Sequence, residues 1–358
     1  MYGMYGMYGM KAAVLEELGK LVVKDIPVPV TGPDEALVKV RSCAVCGSDI
    51  RIFHHGNNRV SPPAVIGHES SGEIVAVGER VTGFKPGDRV ALGSDVPCGE
   101  CAACKAGYGN NCMINYAMGY QFQGSFAEYV PLNRYMLNYG PVHRIPDSMT
   151  WDEAALAEPL ACVLNAVEFT GVGLGDTVVV MGAGPIGCMI IPVCLMSGAT
   201  KVIAVNRSPG RLSFAKKCGA DVVVCSSEED QVERVLQETD GLGADAVFTA
   251  NPSPQSHADA LKMAKNRGRV NLFGGLPAGT KVELETNLIH YKELLVSGAH
   301  GSVPRHHRQA IGLIASGRID IGSFVSHRFA LDDIGEAFRT AEDKAGLRVV
   351  VKPWGDSE

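Results

Sequence analysis

Residues Thr177 to Arg207 read TVVVMGAGPIGCMIIPVCLMSGATKVIAVNR. A short β-branched run meets a glycine turn, a longer apolar segment follows, and a second β-branched run closes on Asn206. Strand-length apolar runs on both sides of a helix-length segment predict a strand–helix–strand unit of a parallel sheet. Gly182-Ala183-Gly184-Pro185-Ile186-Gly187 fits GxGxxG. In a chain with 42 glycines that pattern alone is weak, so its place decides. It follows a strand, opens a helix, and the second strand ends about twenty residues on. One glycine then makes the tight turn, the next lets a pyrophosphate approach the backbone, and the third lets helix and strand pack closely. A plain strand–helix turn is the alternative. From Thr177 to Thr200 no residue is charged, which is about the length of a membrane span. Gly182, Gly184, Pro185, Gly187 and Pro192 interrupt it. A buried strand and helix fit better, with Pro192 expected to kink a helix that ends near Gly198.

The same texture continues downstream. KVIAVNR, DVVVCS, ADAVFTA, GRVNLFGG and LLVSGAH read as strands, and PGRLSFAKKCGA as a helix between two of them. The fold class expected here is α/β, a doubly wound parallel sheet over residues 161–300. Upstream, ALVKVRSCAVC, SGEIVAVGERV and GDRVALG alternate in short runs broken by Gly and Pro, which predicts a mostly β domain. After about Gly301 come a helix-like HHRQAIGLIASGRI, then HRFALDDIGEAFRTAEDK, then a closing strand LRVVVKP. Pairing RVVV with the N-terminal sheet would make the first domain discontinuous, residues 11–160 plus 301–358. The opening MYGMYGMYGM is a three-residue repeat, expected to be a disordered tail over residues 1–10.

Composition excludes some functions. The net charge of −6, with no basic block, gives no electrostatic reason to bind nucleic acid or an anionic membrane. The opening repeat lacks the cationic and apolar regions of a signal peptide, so a reducing cytoplasm is expected. There, clustered cysteines among the chain's 11 point to metal before disulfides.

Cys98, Cys101, Cys104 and Cys112 are spaced C-x2-C-x2-C-x7-C within a lobe of residues 96–113. Four thiolates from one loop suit a closed tetrahedral zinc site, with no position left for substrate. An iron–sulfur cluster or a CxxC redox pair uses the same residue types. A second, dispersed set is Cys46, Ser48 and Asp49, then His68 and Glu69, then Glu158. A thiolate, an imidazole and carboxylates suit a catalytic zinc with an exchangeable position, although each residue also has an ordinary structural reading. At the end of the second strand, where an acid would bond the ribose 2′-hydroxyl of NAD, stands Asn206, followed by Arg207, Ser208 and Arg211. Two guanidinium groups could clamp a 2′-phosphate, which favours NADP over NAD.

Together these residues carry a resemblance. The chain resembles the zinc-dependent medium-chain dehydrogenases over nearly its whole length after Met10. The specific stretches are Gly67-His68-Glu69-Ser70-Ser71-Gly72-Glu73-Ile74-Val75-Ala76-Val77-Gly78, Phe84 to Val90, and the four-cysteine lobe. Glu158-Pro159-Leu160 resembles the sorbitol (polyol), threonine and glucose dehydrogenase branch. The resemblance implies a GroES-like catalytic domain and a Rossmann domain, with two zinc ions per chain and the active-site zinc in the cleft between the domains. It implies Cys46 and His68 as catalytic zinc ligands, with Glu69 and Glu158 as candidates beside them. Ser48 falls at the proton-relay hydroxyl and Asp49 at a partner of the ligand histidine. A histidine often found after the relay hydroxyl is Arg51 here, and His54 or His55 could substitute. The cofactor would rest on Gly182 to Gly187 and on backbone around Gly274-Gly275 and Ser297-Gly298. The implied activity is hydride transfer between a nicotinamide cofactor and a polyol, sugar or other secondary alcohol and its ketone (EC 1.1.1.-). A threonine-type or simple secondary-alcohol dehydrogenase is the alternative, and a zinc-ribbon binding module the non-enzyme one. A homodimer or homotetramer is expected, since strands such as LLVSGAH could pair across subunits.

Overall fold

A computed structural model of the chain describes residues 9–355. Two compact units emerge: one holds the residues through Ala161 and those from Gly301 onward, the other Cys162–His300.

The second unit is a six-stranded, all-parallel sheet. Its strands lie in the order Val222–Cys225, Lys201–Asn206, Thr177–Met181, Ala244–Thr249, Ala264–Leu272 and Leu295–Gly298. The chain enters at Thr177–Met181, works out to one edge, and then fills the other side from Ala244–Thr249. The order therefore reverses between these two strands, which is where such sheets bind ligands, outside the strands' carboxyl ends. Val178, Val179 and Val180 are buried, as a strand covered on both faces requires. Helix Pro185–Met196 opens with Pro at a position whose N–H would be unpaired anyway, and it carries Pro192 inside. Gly198, at φ 109°, lies just beyond its end. Most of its residues are buried, so its apolar composition is that of an interior helix. Among the described residues no helix is long and apolar enough to cross a membrane.

The first unit is built on a seven-stranded sheet. Its main path runs Val142–Arg144, Arg89–Leu92, Glu69–Val77, Ala36–Ala44, Arg348–Lys352 and Val325–Ala330, and Tyr129–Leu132 also pairs with Ala36–Ala44. Val350 faces Ala44 and Val351 faces Cys43 across an antiparallel pair, so the last strand of the chain completes the sheet its first third began. HRFALDDIGEAFRTAEDK divides into part of strand Val325–Ala330 and helix Ile334–Glu342. One expectation needs correcting. The tail was expected to run through residue 10, but strand Gly9–Glu17 already includes Met10. Met10 pairs with Ile26 and is buried in the core, because its side chain falls on the inward face of the alternation. Residues 1–8 of that repeat lie outside the described residues.

One polar pair ties strand Val142–Arg144 to helix Pro304–Ala315. His143 Nδ1 and His307 Nδ1 stand 2.9 Å apart. Burial pushes His143 down to about 4, with the Arg308 charge adding. Burial, and then His143 itself, pushes His307 down to about 3. An unfolded histidine titrates near ~6.5. Below that pH the unfolded chain binds protons that the folded chain does not, so stability is full above it and falls as pH drops toward 4. Thermal melts should show this loss, at up to about 1.4 kcal/mol per pH unit for each histidine. The double variant His143→Asn/His307→Asn should flatten the slope between about pH 6.5 and pH 4, and an unchanged slope would assign the acid sensitivity elsewhere.

Candidate active site

Strand Ala36–Ala44 runs into a short loop that ends at Cys46, and helix Gly47–His55 begins immediately after. Asp49, in the first turn of that helix, accepts the Cys46 backbone N–H on Oδ2 at 2.9 Å. Its other oxygen lies 3.3 Å from His68 Nδ1, out of line for a full hydrogen bond. One carboxylate thus fixes both the cysteine loop and the imidazole. That leaves His68 Nε2 turned toward Ser48, whose Oγ is 3.3 Å away. His68 precedes strand Glu69–Val77, and Glu69 opens it. One ligand atom from each of Cys46, His68 and Glu69 falls within 4.8 Å of the others, with His68 and Glu69 buried. Burial opposes charge on His68, but the Asp49 carboxylate and the Cys46 thiolate raise its pKa well above the ordinary value.

Glu158 lies outside that close group of three. It is buried, and burial pushes its carboxyl up to about 8, with Glu69 and Asp95 adding to the shift and His68 and Arg348 opposing it. One participant was not anticipated, and a second, Tyr120, was legible in the sequence only as an aromatic residue able to line a pocket. Arg348 is buried, with Nη1 3.0 Å from Glu69 Oε2 and 3.4 Å from the Val45 carbonyl, and it also bonds the Cys46 side chain. A signal was present, since an arginine inside LRVVVKP has to find a buried acid. Tyr120 sets its ring 5.8 Å from that of His68 and shares a hydrogen bond with Ser48. Arg59 lies 4.7 Å from the centre of the Tyr120 ring. Phe53, which the sequence also offers as an aromatic residue able to line a pocket, packs edge-on against Phe338. His54 pairs with Glu342 at 3.0 Å on the surface.

The donor set fits zinc. A thiolate, an imidazole and a carboxylate are borderline-soft ligands. Together with Asp49 and Glu158 they place more acid than base in a buried site, and a divalent cation balances that charge. The four lobe cysteines fit a second ion. Their sulfurs lie 3.4 Å (Cys101 to Cys104), 3.9 Å (Cys98 to Cys104) and 4.0 Å (Cys101 to Cys112) apart. Zinc–sulfur bonds of about 2.3 Å make a tetrahedron with edges of about 3.8 Å, whereas a disulfide needs about 2.05 Å. Backbone N–H groups of Met113 and Cys104 pull the Cys101 thiol down to about 6, toward the thiolate a metal needs.

In the other unit the glycine turn is tightly built. A Cβ on Gly187 would stand 1.8 Å from the Gly182 carbonyl oxygen, so only glycine lets this helix pack on its strand. Gly184 caps helix Pro185–Met196, followed by Ile186 in its first turn. Asn206 Oδ1 accepts the Ala183 N–H at 3.1 Å, and its Nδ2 donates to the Ser208 carbonyl at 2.9 Å. Asn206 therefore braces the turn itself. Arg211 lies against the turn, its Nη1 3.3 Å from where a Gly184 Cβ would be, while Arg207 is exposed. Gly274 N–H donates to the Thr249 carbonyl at 2.6 Å, and Ser297 Oγ to the Val270 carbonyl at 3.3 Å. Gly275 and Gly298 are exposed at the same strand ends.

Comparison with known proteins agrees with this geometry. Residues 32–146 match the alcohol dehydrogenase GroES-like domain, and residues 185–316 match the zinc-binding dehydrogenase family. The chain is 35% identical to L-threonine 3-dehydrogenase of Bacillus licheniformis over 92% of its own length and 94% of that protein's. It is 32% identical to sorbitol dehydrogenase of Bacillus subtilis, over 96% and 97% of the two chains. Among solved structures, a zinc-binding dehydrogenase from Sinorhizobium meliloti bound to NADP superposes with a TM-score of 0.91 at 34% identity, covering 97% of this chain and 100% of that one. With its Rossmann sheet, its GroES-like unit and its close cysteine–histidine–glutamate group, the chain belongs to the zinc-dependent medium-chain dehydrogenases and is an oxidoreductase of that family.

Proposed function

We propose that the protein is a zinc- and NADP-dependent dehydrogenase that interconverts a polyol, or another secondary alcohol, with its ketone. The observation that carries this reading is the close group of half-buried Cys46 with buried His68 and Glu69, the Ser48 hydroxyl at its edge. Zinc held there supplies Lewis-acid polarisation of the substrate oxygen, and the nicotinamide supplies or accepts the hydride. The chain's own residues do the rest. Asp49 orients His68, and Arg348 holds Glu69 and neutralises part of its charge. Ser48 passes the substrate proton, and Tyr120 fixes the direction of that hydroxyl. Glu158, whose carboxyl burial pushes up to about 8, is the second acid available beside the metal. A carboxylate near zinc tempers its acidity, which favours substrates able to chelate, such as vicinal diols and hydroxy-ketones. The relative from Bacillus licheniformis supports the threonine-type alternative.

NADP is favoured because Asn206 removes the acid that would repel a 2′-phosphate and Arg211 lies against the turn with Arg207 beside it. The NADP in the Sinorhizobium meliloti structure supports the same choice. The lobe cysteines hold a second, structural zinc. None of the 11 cysteines is in a disulfide, which fits the reducing cytoplasm. Strand Leu295–Gly298 is an edge strand with Leu295 67% exposed and Tyr291 78% exposed nearby, so a second copy of the chain pairs there in a homo-oligomer.

Four measurements test these points. Polyols, ketoses, threonine and short alcohols should be assayed with NAD and NADP separately, and polyols with NADP should give the highest kcat/KM. Removing both arginines (Arg207→Ala with Arg211→Ala) should raise KM for NADPH about tenfold or more and leave KM for NADH nearly unchanged. Equal effects would reverse the cofactor assignment. By elemental analysis, Cys46→Ser should lose one of two zinc ions and the activity while keeping its Tm. Cys101→Ser should lose the other ion, with a Tm drop on the order of 10 °C. Full turnover in Cys46→Ser would remove the site assignment. In sedimentation, Leu295→Lys should shift the protein toward monomer, and no shift would place the interface elsewhere.

A further inference from the structure

The carboxyl end of strand Ala244–Thr249 carries polar groups that no group among the described residues satisfies. Thr249 Oγ1 and Asn251 Oδ1 are both buried without a hydrogen-bond partner. Such atoms are rare in folded proteins, because an unpaired buried acceptor bears its full desolvation cost. Their position is also unusual. Ala250 N–H donates to the Met181 carbonyl at 2.7 Å, which ties this strand end to the start of the glycine turn. A Cβ on Gly182 would stand 3.0 Å from Asn251 Cβ, and one on Gly274 would stand 2.5 Å from the Asn251 carbonyl oxygen. Asn251 is thus wedged between two glycine turns, its backbone fixed from both sides. It stands at the point where the strand order reverses.

A dinucleotide laid across that point has two unlike halves. Asn206, Arg207 and Arg211 lie on the side of strand Lys201–Asn206, and the pyrophosphate belongs over Gly182 to Gly187. The remaining half, the nicotinamide and its ribose, then falls over the ends of Ala244–Thr249 and Ala264–Leu272. The chemistry of the unfilled atom selects among the parts of that ligand. A buried carboxamide oxygen needs a donor. An ionised phosphate has none, whereas a ribose diol has two hydroxyl donors. We propose that Asn251 is a cofactor-positioning residue whose side chain accepts a hydrogen bond from the nicotinamide-side ribose, with Thr249 supporting it from the strand end. This rests on the dehydrogenase reading and adds to it a side chain that sets the register of the nicotinamide against the sheet.

The test uses the full-length protein and two kinds of probe. NADPH and NADH contain the nicotinamide ribose, whereas 2′,5′-ADP and ADP carry only the adenosine half. Asn251→Ala should weaken the reduced dinucleotides about tenfold in a fluorescence or calorimetric titration and leave the fragments unchanged. Fragment binding reports that the turn is still folded. Asn251→Ser serves in its place if the alanine variant does not fold, with the same split expected. Equal weakening of dinucleotides and fragments would make Asn251 a structural wedge only, and unchanged binding of both would leave its oxygen to solvent. Either result overturns the inference while the dehydrogenase reading stands. If the unmodified protein binds none of the four probes, that reading itself falls and the inference falls with it.

Discussion

A buried guanidinium must be paired, and Arg348 is paired by groups far from it in sequence. Its partners are the Glu69 carboxylate, the Val45 carbonyl and the Cys46 side chain. Removing one member of such a pair leaves an uncompensated buried charge, at a cost of roughly 3–5 kcal/mol. The pair therefore holds strand Arg348–Lys352 in register beside Ala36–Ala44, and this makes the first unit discontinuous in sequence. It also places a fixed positive charge behind Glu69. The cysteine loop, the histidine and the glutamate come together because the last strand of the chain closes over them.

The two cysteine-bearing sites differ in how they are held. The lobe collects its four sulfurs from fifteen residues of one loop, Cys98 through Cys112, and little of the fold is needed to bring them close. A closed set of four thiolates can stabilise that loop but offers no position to a substrate. The other group draws Cys46 from one segment and the adjacent His68 and Glu69 from another, and it depends on sheet pairing and on Asp49 to align them. A site assembled by the whole unit can keep a position open without the loop around it collapsing.

This contrast explains what could be read from the sequence. The strand series from Thr177 onward was legible because parallel strands buried on both faces leave continuous apolar runs, and glycines mark the turns. Cys46, Ser48, His68 and Glu69 were legible as motif positions, and the fold brings them together. Arg348 and Asn251 were not, and Tyr120 was legible only as an aromatic residue able to line a pocket. Each acts through a neighbour distant in sequence: Glu69 for Arg348, His68 and Ser48 for Tyr120, the two glycine turns for Asn251. No period or spacing records such a contact. Glu158 was legible as an acid, but its distance from the close group of three is a matter of tertiary packing. The start of the first strand was misplaced by two residues because a repeat that looks featureless still offers Met10 to the core.

One rule nonetheless links the missed residues. A polar side chain within an apolar strand is expensive unless something pairs with it. Arg348 in RVVVK breaks the rule of its strand, and the structure answers with Glu69. Asp152 is buried and receives Ser42 Oγ at 2.7 Å, Lys352 Nζ at 2.8 Å and Arg328 Nε at 2.8 Å, so it too is answered, and its role is to bind the sheet together. Thr249 ends ADAVFT in the same way, yet no group among the described residues bonds its hydroxyl or the side-chain oxygen of nearby Asn251. Where the protein supplies the partner, the polar residue builds the fold. Where it does not, at the carboxyl ends of a parallel sheet, the partner has to come from a ligand or from water, and the strand reversal there favours the ligand.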